Sequence, residues 1–153
     1  MELTDSFTVV APVATVWEVL WDFPRLAACL PGCDQIERSG DNSYRARMRQ
    51  AIGPFRLEMD LTLTVVELAP GQRIAFTGWG ADRQGNRLKL SRAVIQLTPT
   101  ATGGTEVGYA ADFNLLGKLA TLGYPIVKRK AKELGSEFGQ RLEEIIVGGR
   151  THG

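Results

Sequence analysis

The sequence predicts an α+β fold: a curved antiparallel sheet of about seven strands wrapped around a long C-terminal helix, with two short helices between the first and second strands and an internal apolar cavity. Three observations predict it. Successive segments with period-two alternation are separated by tight turn sequences, which pairs neighbours antiparallel. Each of these segments is apolar on one side only, so that side needs a cover. The last segment supplies the cover, because its apolar residues recur at helical spacing.

The first strand runs from Leu3 to Val10 and ends at Ala11-Pro12. Pro12 suits the first turn of a helix, where its missing N–H costs nothing. Val13, Val16, Trp17, Leu20 and Trp21 then fall on one helical face, with Glu18 and Asp22 opposite. Pro24 starts a second short helix through Leu30, and Pro31-Gly32 turns the chain. Strands follow over Gln35 to Arg38, Tyr44 to Ala51, Phe55 to Leu68, Arg73 to Trp79, Arg87 to Leu97 and Thr105 to Leu115. The turns between them include Ser39-Gly40-Asp41-Asn42, Gly53-Pro54, Pro70-Gly71 and Gly103-Gly104.

The clearest alternation sets Phe55, Leu57, Met59, Leu61, Leu63 and Val65 against Arg56, Glu58, Asp60, Thr62 and Thr64. Tyr44, Ala46 and Met48 oppose Arg45, Arg47 and Arg49 in the same way. The strand from Leu88 to Leu97 changes phase near Arg92, which predicts a bulge. Pro125 starts the regular part of the final helix, whose stripe is Val127, Ala131, Leu134, Phe138, Leu142 and Ile145. Taken to Val147 it has about 23 residues and a length of roughly 34 Å, with Gly148-Gly149 as its stop.

A straight helix cannot fill the concave face of a strongly twisted sheet, so a hollow is expected between them, closed at one end by the short helices. The residues placed to line it are Tyr44, Met48, Phe55, Leu57, Met59, Phe76, Tyr109, Phe113 and Leu115 on the sheet. Leu119, Tyr124, Val127, Ala131 and Leu134 complete the set on the helix and its approach. Ligand pockets of this kind are mostly apolar with a few placed polar groups, here Tyr44 and Tyr109. The same side chains would also suit a solid core, and small residues at Ala111, Ala131 and Gly135 favour the gap. Both readings stay open at this stage.

Composition narrows the function. The 153 residues fit one domain over 1–149 with a flexible tail at 150–153. The 18 Lys and Arg against 17 Asp and Glu remove the basic excess of a nucleic-acid binder. The single histidine, His152, leaves no base for a Ser-His-Asp or Cys-His site and no multi-histidine metal cage. Cys29 and Cys33 are spaced C-x3-C with no second pair, so they read as reduced thiols and not as a zinc or redox site. No catalytic residue, metal or resident cofactor is expected. The absence of a basic leader and of any apolar run long enough to span a bilayer points to the cytoplasm.

Several motifs, in order, carry a family resemblance over nearly the whole chain: Ala11-Pro12 through Val16-Trp17 and Leu20, Cys29-Leu30-Pro31-Gly32-Cys33, Ile52-Gly53-Pro54, the glycine-rich end of the Phe76 to Gly80 strand, Gly104-Thr105, Leu116-Gly117-Lys118-Leu119-Ala120-Thr121-Leu122-Gly123, and Phe138. Together they resemble the carbon monoxide dehydrogenase CoxG family of the START-like (SRPBCC) helix-grip superfamily. The resemblance implies an accessory protein that carries a quinone or another lipid in its groove. It also implies recruitment of a molybdenum-containing dehydrogenase to the membrane, with peripheral contact at its inner face. Two departures stand out. Many relatives continue into a tail with an apolar anchor where this chain reads Gly149-Arg150-Thr151-His152-Gly153, so anchoring is not expected. Leu61 stands where a smaller residue is usual, which would narrow the cavity.

Three functions compete. A non-catalytic carrier follows from an apolar inner face without catalytic groups. A small cyclase- or dehydratase-like enzyme would need an acid or base in the hollow, and Tyr109 is the inner-face residue available. An interaction module would use Lys128-Arg129-Lys130-Ala131-Lys132 against an acidic partner or anionic membrane, although the same run suits a solvated helix face. Gly78-Trp79-Gly80 with Gly85 is a weak phosphate-loop pattern with no helix after it. Trp17 and Trp21 read as core, and Trp79 as a residue of the cavity mouth.

Overall fold

Strand alternation and turn chemistry produce the expected order in the computed structural model, which describes residues 1–152, with side chains described for 1–148. The elements are β1 (Glu2–Val9), α1 (Val13–Trp21), α2 (Phe23–Cys29), β2 (Cys33–Arg38), β3 (Ser43–Ile52), β4 (Phe55–Ala69), β5 (Arg73–Ala81), β6 (Arg87–Pro99), β7 (Thr105–Leu116) and α3 (Tyr124–His152). A short 3-10 turn, Gly117–Thr121, precedes α3 and is not foreseen by the sequence pattern. The seven strands form one antiparallel sheet in the order β1-β7-β6-β5-β4-β3-β2. Chain neighbours pair from β2 through β7, and β1 joins the far side of β7.

Helix α3 differs from expectation at its end. It continues through Gly148-Gly149 to His152. A glycine stop works by taking a left-handed φ, and Gly148 does not take one. The flexibility expected of 150–153 falls on residues whose side chains lie outside the described set.

Register assigns the faces. The inner face carries Phe7 and Val9 of β1, Tyr109, Ala111, Phe113 and Leu115 of β7, and Leu88 and Leu90 of β6. In β6 one extra residue separates Leu90 from Arg92, so Ala93, Ile95 and Leu97 also point inward. This is the expected bulge. A further irregularity lies in β4 between Val65 and Glu67, where the sequence predicts none. On β5, Phe76, Gly78 and Gly80 face inward, which puts Trp79 on the opposite face. Trp79 is therefore not at a cavity mouth: it is 54% exposed and stacks under the Lys89 ammonium, 5.7 Å from the ring centre.

Two packed clusters occupy opposite ends of the inner face. The first joins Val9, Leu97 and Val107 of the sheet to Val16, Val19, Leu20 and Cys29 of the short helices and Leu142 and Ile146 of α3. The second is built on Leu57, Met59 and Leu119, with Ile52, Phe55, Leu61, Leu88, Leu115 and Leu122 against them. Each fully buried side chain of this size contributes about 1.5–3 kcal/mol, so the ends hold the fold together.

Helix α3 approaches β1 and α2 closely, with a smaller approach to β3. Two glycines allow this. A Cβ at Gly135 would collide with the Tyr109 hydroxyl, and one at Gly139 would meet the Phe7 ring at 2.9 Å. Phe7 also packs edge-on to Phe138, with ring centres 5.7 Å apart. The turn between α2 and β2 is pinned as tightly. Gly32 has φ +76°, a Cβ there would strike the Arg49 carbonyl, the Arg49 N–H donates to the Gly32 carbonyl at 2.8 Å, and the Gln50 side chain donates to the Pro31 carbonyl at 2.5 Å.

Candidate ligand-binding site

The inner face between the two packed clusters is the candidate site. Met48 of β3, Leu63 of β4, Leu90 of β6 and Leu134 of α3 are half-buried and belong to neither cluster. Half-burial is unusual for large apolar side chains on the covered face of a sheet. It arises here because the backbone of α3 is drawn toward β1 and α2, away from the central strands. Ala46, Ala111 and Ala131 are also half-buried. Gly78 and Gly80 present no side chain. The Leu63 and Leu61 methyls lie 2.6 Å from where their Cβ atoms would stand. Leu61, expected to narrow the hollow, thus lies down over Gly80 and not straight across it.

The structure distributes the expected lining residues over several environments. Leu57, Met59 and Leu119 are core of the second cluster, with Phe55 and Leu115 packed on it, and Phe76 packs on the first. Phe113 and Val127 are buried. Met48, Ala131 and Leu134 are half-buried. Tyr44 closes one end in an aromatic group, 5.3 Å from Phe23 and 6.1 Å from Trp21 between ring centres. Tyr124 is 41% exposed, and its hydroxyl donates to the Glu2 carbonyl at 3.1 Å. Tyr109 is half-buried with its hydroxyl against Gly135. Burial, then the nearby Asp5 carboxylate, pushes its pKa up, so at neutral pH it is a phenol that donates.

Beside these half-buried residues a groove of about 930 Å³ follows the β3–β4 hairpin. Gln50 and Leu57 reach it from the inner face, and Arg47, Arg49, Arg56, Glu58 and Asp60 from the other. Asp82 and Arg83 come from the β5–β6 loop, and Lys130, Glu137 and Arg141 from α3. Lys130, Leu134, Glu137 and Arg141 are spaced four, three and four apart, one helical face. The sequence pattern alone puts the charged three off the apolar stripe and facing water. Gln50 escapes that pattern as well, although a signal exists: it continues the inward phase of Tyr44, Ala46 and Met48.

Most of the groove's charges are engaged. Arg47 pairs with Asp60 at 3.1 Å and Glu58 at 3.7 Å, Arg49 with Asp34 at 3.3 Å and Glu58 at 3.7 Å, and Arg141 with Glu137 at 3.6 Å. Asp82 accepts from the Gln84 N–H at 2.9 Å and from the Asn86 N–H and side-chain amide at 2.8 Å each. Burial works to raise the Asp82 pKa, but these hydrogen bonds outweigh it and the net shift is downward.

The thiols lie at the α1–α2 end. Burial pushes Cys29 up from 9.0 to about 11, with Arg141 pulling the other way. Burial also raises Cys33, partly offset by a backbone hydrogen bond from Gln35, while Asp34 adds to the rise. Only thiolates react readily, so at pH 8 iodoacetamide is expected to label Cys33 at least about tenfold faster than Cys29. Because the Cys29 pKa is raised on folding, stability should hold below pH 9 and decline as pH climbs toward about 11. Equal labelling of both thiols in the folded chain would contradict this placement. Among the described residues no three His, Cys, Asp or Glu side chains are grouped to hold a metal ion, and no helix is long and apolar enough to cross a membrane.

Comparison with known proteins agrees with the geometry. The family model for CoxG, a subunit of carbon monoxide dehydrogenase, matches residues 6–146. No curated protein matches the sequence. Among solved structures, a conserved protein from Geobacillus kaustophilus is 24% identical with a TM-score of 0.88, covering 97% of this chain and 96% of its own. A START superfamily protein from Mycobacterium smegmatis is 17% identical with a TM-score of 0.73, covering 96% and 97%. A protein from Thermus thermophilus is 16% identical with a TM-score of 0.70, covering 97% and 99%. At these identities the likeness shows the START-like fold.

Proposed function

The chain belongs to the carbon monoxide dehydrogenase CoxG family, and on that premise we propose that it is a non-catalytic carrier of a lipid-soluble small molecule. In this reading the cargo is a quinone, held between α3 and the central strands. The protein serves a molybdenum-containing dehydrogenase and touches the membrane peripherally. The observation that supports it most is the half-burial of Met48, Leu63, Leu90 and Leu134 between two packed clusters. An apolar ligand would complete their burial, at about 25 cal/mol for each Å² removed from water. Tyr109 offers one hydrogen bond to a carbonyl of such a ligand. Its raised pKa keeps it a phenol, and so a donor and not a base, at neutral pH.

Native mass spectrometry after incubation with decylubiquinone tests the proposal. One retained equivalent is expected, displaced by excess of a second quinone. A chain that stays unloaded with decylubiquinone and with an unrelated apolar dye alike would overturn it.

A further inference from the structure

The unspent charge of the groove is positive. Each of its four carboxylates already has partners: Glu58 and Asp60 are taken by arginines, Glu137 by Arg141, and Asp82 by three hydrogen bonds from its own loop. On the cationic side, Arg56 and Arg83 make no ion pair or side-chain hydrogen bond among the described residues. Lys130 has only Glu133, which does not line the groove, at 4.0 Å. Its side chain is 23% exposed, so most of its stem lies against the protein. Lys130 also sits one turn before Leu134, which borders the apolar gap. Hollow and cationic groove therefore share one face of α3.

We propose that the site also accepts anionic amphiphiles: the apolar body takes the place of the quinone in the hollow and the carboxylate or phosphate head lies in the groove against Lys130, Arg56 and Arg83. This rests on the hollow reading above and adds a second ligand class beside the quinone. Arg56 and Arg83 are exposed and Lys130 half-buried, so attraction to them is modest and falls with salt, as the Debye length shrinks from about 30 Å at 0.01 M to about 10 Å at 0.1 M.

The test compares sub-micellar palmitate with its methyl ester by competition against a fluorescent apolar probe, at low salt and neutral pH. Palmitate is expected to bind about five- to tenfold tighter than the ester, and the ratio should shrink as salt rises. In the triple variant Arg56→Gln, Arg83→Gln, Lys130→Gln the ratio should fall toward one. Equal binding of acid and ester to the unmodified chain would overturn the head-group inference and leave the hollow reading standing. Tighter binding of acid with an unchanged ratio in the triple variant would overturn the groove as its location. Failure of both ligands and of the probe to bind would overturn the hollow reading itself.

Discussion

Replacing Leu90 with tryptophan is expected to weaken uptake of an apolar probe by at least about tenfold, equivalent to about 1.4 kcal/mol, while the melting temperature moves little. Leu90 lies on the inner face opposite Phe113 and Gly78, half-buried and outside both packed clusters. On the hollow reading, a larger side chain there takes the place of the ligand beside the half-buried Leu63 and Leu134. The stability readout decides between a hollow and a solid core. In a close-packed interior the added ring would force neighbours off their rotamers and cost about 1–3 kcal/mol. Lost binding with retained stability is the expected pair. Retained binding, or a large loss of stability, would contradict the gap.

Replacing Asn86 with leucine should destabilise the protein by about 2–4 kcal/mol, since an orphaned buried polar group costs about 1–3 kcal/mol in addition to the bond lost. Asn86 is fully buried, and its side-chain oxygen accepts from the Leu119 N–H at 3.1 Å while its amide donates to Asp82 at 2.8 Å. It thus ties the β5–β6 loop to the 3-10 turn that delivers the chain into α3. Leucine is of similar size but leaves the Leu119 N–H without a partner. For a chain of this size the melting temperature should fall by about 2–4 °C per kcal/mol.

The same substitution has a pH signature. The Asp82 pKa is lowered on folding, so its contribution is present above the ordinary value of 3.8 and is lost as pH falls through the folded pKa. Without Asn86 much of that contribution is gone at every pH. The stability gap between the two proteins should therefore narrow below pH 3.8. A gap that is small at pH 7 and constant in acid would sink this account of Asn86.

The strands are readable because each repeats the same local rule. Phe55 to Val65 alternates against charged neighbours, and the phase change at Arg92 marks the one residue that β6 inserts. Even the outward position of Trp79 is available, three residues from inward Phe76. The half-burial at the middle of the inner face is not readable in the same way. Which inner residues are packed and which are left half-buried depends on where α3 crosses the sheet. That is set by Gly135 against Tyr109 and Gly139 against Phe7, contacts between distant parts of the chain. The amphipathic stripe shows which face of α3 is apolar, but not that Lys130, Glu137 and Arg141 border a groove formed with β3 and β4. Gly148-Gly149 misleads for a related reason, since a glycine ends a helix only where its φ turns positive.

The most direct test of the account is an equilibrium titration of the unmodified chain with N-phenyl-1-naphthylamine, followed by competition with decylubiquinone. An apolar hollow between two packed ends predicts saturable uptake of one probe per chain, with enhanced and blue-shifted emission that the quinone reverses. Emission that rises linearly without saturation, or a saturable signal that no quinone displaces, would contradict a quinone-sized hollow beneath α3.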